Sequence, residues 1–187
     1  QEALVQELVD KKIAVAESKQ YTVRDIKVLP QIDTEDSAAE VVSEAEIRNY
    51  GNTLGFILAN NPASSSESEL DILRRALGAN NETELKKMDP IIAGYQKIIT
   101  GFLSAATPAE LVPAHLSLLN NLQALLDDIR GLRKTFDDPI VGLTSIKKYL
   151  TDVLLVQRAF QDLENDFESR GIIFTQTEYG YVFTHTI

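Results

Sequence analysis

Between His115 and Phe136 the chain repeats apolar side chains in steps of three and four: His115, Leu118, Leu122, Leu125, Ile129, Leu132, Phe136. That spacing returns to one side of an α-helix at every turn, so the stripe must face a partner helix. Leu119 and Leu126 widen it beyond a two-stranded seam, which predicts a helix buried in a bundle.

The flanking segments repeat the pattern. Asp138-Pro139 reads as an N-cap followed by proline at the first helical position. The helix it opens runs to about Arg170, with Leu143, Ile146, Leu150, Val153, Phe160, Leu163 and Phe167 expected inward, and ends at Gly171. Upstream, Asn81 caps a segment, Asp89-Pro90 starts a helix within it, and Leu85, Met88, Ile92, Tyr95, Ile99, Phe102 and Ala106 form its apolar series. Thr107-Pro108 opens another helix, or a turn that restarts at Pro113. Ser66 and Glu69 have the capping-box spacing for a short helix closed by Gly78. A further helix is expected from Asp36 to Asn60, apolar at Ala38, Val41, Val42, Ala45, Leu54, Ile57 and Leu58. Its Gly51 and Gly55 leave two readings open: a weakened helix bent near 51, or a face that another backbone approaches closely. Residues 1–20 read as an amphipathic helix, Thr22 to Leu29 as a short strand ended by Pro30, and 31–37 as a polar linker.

From Gly171 the character changes. Twelve of the 17 residues in GIIFTQTEYGYVFTHTI are β-branched or aromatic, which predicts a hairpin or a bent strand turning near Glu178–Gly180. A lone hairpin is marginal in water, and residues 22–29 are a candidate partner strand. The expected fold is therefore mainly α: an antiparallel helical bundle, short links joining its helices, with a small C-terminal β element. The segments are 1–80 (helical, with the short strand), 81–170 (core bundle) and 171–187 (β-rich tail), within one domain overall.

Composition narrows the functions. A net charge of −10 disfavours a nucleic-acid backbone as partner. The apolar runs, such as Phe56 to Ala59 and Val153 to Val156, fall far short of the roughly 20 residues of a bilayer span, so no membrane insertion is expected. With no cysteine in the chain, disulfides, thiol catalysis and Cys-ligated zinc are excluded. No phosphate-cradling glycine loop and no nucleophile elbow occurs. His115 sits on the leucine stripe and reads as a core residue, while His185, alternating with Tyr181 and Phe183, reads as a strand-face residue. Acids cluster at Asp33, Glu35 and Asp36, at Asp127 and Asp128, at Asp137 and Asp138, and from Asp162 to Glu168, where helix caps and solvated faces account for them. Between Gln31 and Leu73, nine acids meet one base, Arg48. Asn81-Glu82-Thr83 matches a glycosylation acceptor. The expectation is a protein without catalytic residues, metal or cofactor.

The runs PAHLSLLNNLQAL, FDDPIVGLTSIKKYL and GIIFTQTEYGYVF, within Pro113 to Phe183, resemble a group of uncharacterised exported helical proteins of small-genome, candidate-phylum bacteria. The resemblance implies origin and export, and it brings no activity and no functional residues. The opening Gln1 in place of Met adds to the expectation of a leader removed on export, hence an extracellular or cell-surface location. Two functions follow as expectations. One is a structural subunit that assembles with copies of itself, filament-like, through Ile173, Phe174, Tyr179, Tyr181 and Phe183 of a β-rich tail. The other is a monomeric binding or accessory module of a surface or secretion complex.

Overall fold

Side chains reaching back to the backbone set most helix starts. The computed structural model describes residues 18–29, 43–63 and 67–184, and among these are α1 (Glu44–Asn60), α2 (Glu69–Gly78), α3 (Asp89–Ser104), α4 (Val112–Arg133) and α5 (Pro139–Ser169). Ser43 and Glu46 form a reciprocal capping box at α1. Ser68 accepts from the Asp71 N–H at α2, and Asp138 from the Val141 N–H at α5, with Pro139 in the first turn. The Asn81 cap opens a 3-10 segment, Glu82–Met88, that runs into α3. At Thr107-Pro108 no helix opens directly: Thr107 ends a short strand and Pro108 caps a single 3-10 turn, Ala109–Leu111, before α4 begins. The Ser66 cap, Pro30, most of the helix expected over 1–20, the linker and the start of the helix expected from Asp36 fall outside the described residues.

The leucine stripe of α4 is the centre of the core. Leu118, Leu119, Leu122, Leu125, Leu126, Ile129 and Leu132 are all buried, packed among Leu54 of α1, Ile72 of α2, Phe102 of α3 and Leu163 of α5. A fully buried side chain of this size contributes about 1.5–3 kcal/mol. One continuous cluster runs from Tyr21 to Phe183, so residues of all three sequence segments share it.

α4 and α5 run past each other in opposite directions. Gly131 meets Ser145, Lys148 lies 3.5 Å from Asp128, and the Asn121 amide donates to the Leu155 carbonyl. The face that α5 turns inward matches the expected one in part: Leu163 and Phe167 are buried, and Ile146, Val153 and Phe160 pack half-buried against the core. Leu143 and Leu150 are exposed, and the buried series is Gly142, Ser145, Tyr149, Asp152, Val156, Ala159, Leu163 and Phe167. The cause is steric: a Cβ on Gly131 would overlap Ser145, and one on Gly142 would meet Thr135 Oγ1 at 2.5 Å. The helices approach on small residues, and bulky leucines on that side would hold them apart.

The β expectations are corrected. The strand expected over Thr22–Leu29 shrinks to Lys27–Val28 (β1), after a 3-10 turn at Val23–Asp25. It pairs in parallel with Ala106–Thr107 (β2), Lys27 opposite Ala106, and not with the tail. Nor is the tail a hairpin or strand among its described residues: 172–175 have no regular secondary structure and Tyr179–Thr184 form a 3-10 helix. Several of its backbone N–H groups find partners without a sheet. The Glu178 N–H donates to the Thr175 carbonyl, that of Tyr181 to the Glu178 carbonyl, and that of Gly180 to Asn52 Oδ1 of α1. β-branched composition favours strands only where a pleated partner surface exists, and here the helices offer a groove.

Candidate functional site

The path of the tail begins at Gly171. Its φ of 74° is the left-handed conformation of a helix C-terminus, and the Ile172 N–H reaches back to the Phe167 carbonyl at 2.9 Å. This turn directs Phe174 against Phe167, edge to face at 5.1 Å, and Phe183 packs on the same ring at 5.4 Å. Of the five tail residues expected to make contacts, Phe174 and Phe183 are thus buried within the chain and Tyr181 is half-buried. Ile173 and Tyr179 face outward, 70% and 52% exposed. Tyr179 stands edge to face with Phe56 of α1, which is exposed as well. Glu178 ties the segment down. It accepts from the Thr175 N–H at 2.9 Å, from the Asn52 amide at 3.2 Å and from Arg48 at 3.2 Å. Those bonds, the Thr175 N–H foremost, pull its carboxyl down to about 2.

A second outward surface was not anticipated from the sequence. Leu143, Leu150 and Leu154 of α5 are 53%, 61% and 64% exposed. At about 100° per residue they lie within an arc of about 40°, a single apolar seam on the side opposite α4. Lys147 and Arg158 border it on one flank, both exposed, and neither forms an ion pair among the described residues. The spacing was readable; what hid it was the assumption that leucines point inward.

Beneath that seam lies a buried polar contact. Asp128 of α4 and Asp152 of α5 are 2% and 7% exposed, and the Oδ2 of each has no hydrogen-bond partner. Lys148 Nζ stands 3.5 Å from Asp128 Oδ1 and 3.8 Å from Asp152 Oδ2. Burial, and then the contact with Asp152, push the Asp128 carboxyl up to about 7.

His115 is buried, as the stripe predicted. Its Nε2 lies 3.1 Å from the Phe102 carbonyl, which can only accept, so Nε2 carries the proton and Nδ1 accepts from the Tyr50 hydroxyl at 2.7 Å. Burial lowers its pKa to about 4, so the ring is neutral at pH 7. Both ring nitrogens are taken up by the core. Asn81 of the glycosylation triplet uses its side-chain oxygen on the Thr83 N–H. Among the described residues no group of three or more His, Asp or Glu is placed to hold a metal ion, and no helix is long and apolar enough to cross a membrane. His185 and the Asp33 cluster lie outside the described residues.

Fold and surfaces together define a mainly helical protein with a two-stranded parallel sheet and two apolar outer faces. No protein-family model matches the chain, and no curated protein or solved structure matches it either.

Proposed function

We propose that this chain is a non-catalytic helical binding module, working at or outside the cell surface, whose outer α5 face receives an acidic amphipathic helix of another protein. The observation that carries the reading is the seam of Leu143, Leu150 and Leu154, exposed with nothing covering it among the described residues, beside the unpaired cations Lys147 and Arg158. Contiguous exposed apolar surface on a folded protein marks contact sites. A helix laid in such a seam contributes leucines at the same spacing, and its flanking acids would complement the two cations. Pairing of the seam with its own copy is disfavoured, because a two-fold contact centred on Leu150 brings the Lys147 and Arg158 side chains of both copies together. The extracellular setting rests on the resemblance, with which the cysteine-free composition is compatible.

The filament reading draws less support, because the described residues of the tail form no strand and the Glu178, Gly180 and Tyr181 N–H groups bond within the chain. The test uses a synthetic helical peptide with leucines three and four apart and glutamates on its flanks, and a second peptide with lysines there. Fluorescence anisotropy should show the acidic peptide binding more tightly, more weakly as salt rises, and not at all after Leu150→Gln with Leu154→Gln. Binding indifferent to those substitutions, or self-association in the ultracentrifuge that they abolish, overturns the reading.

A further inference from the structure

An ionised carboxylate can only accept hydrogen bonds. Asp128 and Asp152 meet across the α4–α5 contact with the Oδ2 of each buried and without a donor. Two buried acceptors facing each other repel, and one neighbouring cation cannot offset the desolvation cost of both. A single proton between them converts that repulsion into a hydrogen bond and satisfies both orphaned oxygens. Lys148 supplies one positive charge to two acids, at 3.5 and 3.8 Å. With the proton in place the trio is neutral; without it, a net negative charge is left in the contact.

Other charged groups nearby are already engaged. On α4, Asp127 is taken up by Arg130 at 2.9 Å and by the Gln123 amide. On α5, the Tyr149 hydroxyl is turned away to Glu69 of α2. The groups acting on Asp128 are therefore Lys148 and Asp152, both from α5.

We propose that Asp128 and Asp152 share one proton across the α4–α5 contact, and that losing it in alkaline solution loosens the two helices. The proton is held by both residues, so the pair ionises in two steps, the second only when the bridge is given up. The inference does not depend on what binds the outer face of α5. Its consequence is a helix pair whose grip depends on pH, set by residues on the buried side of α5.

Carboxyl-carbon NMR of the whole chain tests the bridge. One aspartate signal should titrate near pH 7, vanish from that range in both Asp128→Asn and Asp152→Asn, and move to higher pH in Lys148→Met. The upward move is the outcome that a purely structural role for Lys148 would not give. Amide exchange, corrected for its intrinsic pH dependence, should show α4 and α5 opening at least tenfold more often at pH 8.5 than at pH 6 in the native chain. The ratio should fall to near one in Asp128→Asn, whose amide donates permanently to Asp152. Asp152→Asn is the reciprocal variant and keeps the test intact if the first fails to fold. Both aspartates titrating below pH 5, or an opening ratio unchanged by either substitution, overturns the proposal.

Discussion

Gly55 of α1 lies directly against the carbonyl of Tyr179, with no room for a methyl group between them. The contact is backbone to backbone and holds the 3-10 helix of the tail on α1. Gly55→Ala should therefore displace Tyr179–Thr184. Overpacking of this kind costs about 1–3 kcal/mol, readable as a lower urea midpoint together with new protease cleavage after residue 171. Gly78, whose Cβ would meet nothing within 4 Å, is the control, and Gly78→Ala should leave the midpoint unchanged or raise it slightly.

The anchoring of the tail by Glu178 should weaken in acid. Its folded pKa is about 2 against an ordinary 4.5, so its contribution is complete above pH 4.5 and disappears as pH falls toward 2. Limited proteolysis at pH 5 and pH 2.5 should show the tail released earlier at the lower pH. Glu178→Gln should give early release at both.

His115 and Asp128 tilt stability in opposite directions. His115 has a depressed pKa, about 4 against 6.5, so the stability it contributes is lost as pH falls through that window. Asp128 has a raised one, about 7 against 3.8, so its contribution is complete in acid and lost as pH rises through that window. Between about pH 4 and 6.5 the two slopes offset. Asp128→Asn should unmask the histidine, giving an unfolding free energy from urea titrations that climbs with pH there by up to about 1.4 kcal/mol per unit.

Tyr50→Phe removes the one hydrogen bond that His115 Nδ1 receives among the described residues and leaves that nitrogen buried without a donor there. An unsatisfied buried acceptor costs about 1–3 kcal/mol. The loss should appear in denaturant unfolding at pH 7 with no change in helix content by circular dichroism.

Leu119 and Leu150 look alike in the sequence and sit in opposite environments, 0% and 61% exposed. Leu119→Ala should cost about 2–5 kcal/mol, whereas Leu150→Ala should stay within about 0.5 kcal/mol. Similar losses at both would mean that the outer face of α5 is covered.

What the sequence made legible depended on whether one force decided a position. The α4 stripe was readable because leucines at helical spacing have one low-energy destination, and the Asp138-Pro139 start because cap and proline chemistry are local. The inward face of α5 was readable only in part: Leu163 and Phe167 are buried as expected, but nearer the start hydrophobicity and close approach compete, where Gly142 and Ser145 let α4 come near and Leu143 and Leu150 are left outside. Composition misread the tail for a related reason. Its β-branched residues suit a strand, but Phe174 and Phe183 find the aromatic ring of Phe167 instead, and Asn52 and Glu178 complete the hydrogen bonding. The Asp128–Asp152 contact has no sequence signature, because two aspartates 24 positions apart meet only once both helices have found their register.

The clasp of residues 172–183 on α1 also sets an order of events during synthesis. The Arg48 guanidinium reaches the Ile173 carbonyl across 125 positions of chain, and the surface around Gly51 and Gly55 waits bare until that distant stretch leaves the ribosome. A chain stalled before Gly171 would lack the Phe174 and Phe183 rings that pack on Phe167, leaving apolar surface of α1 and α5 uncovered until the last residues follow.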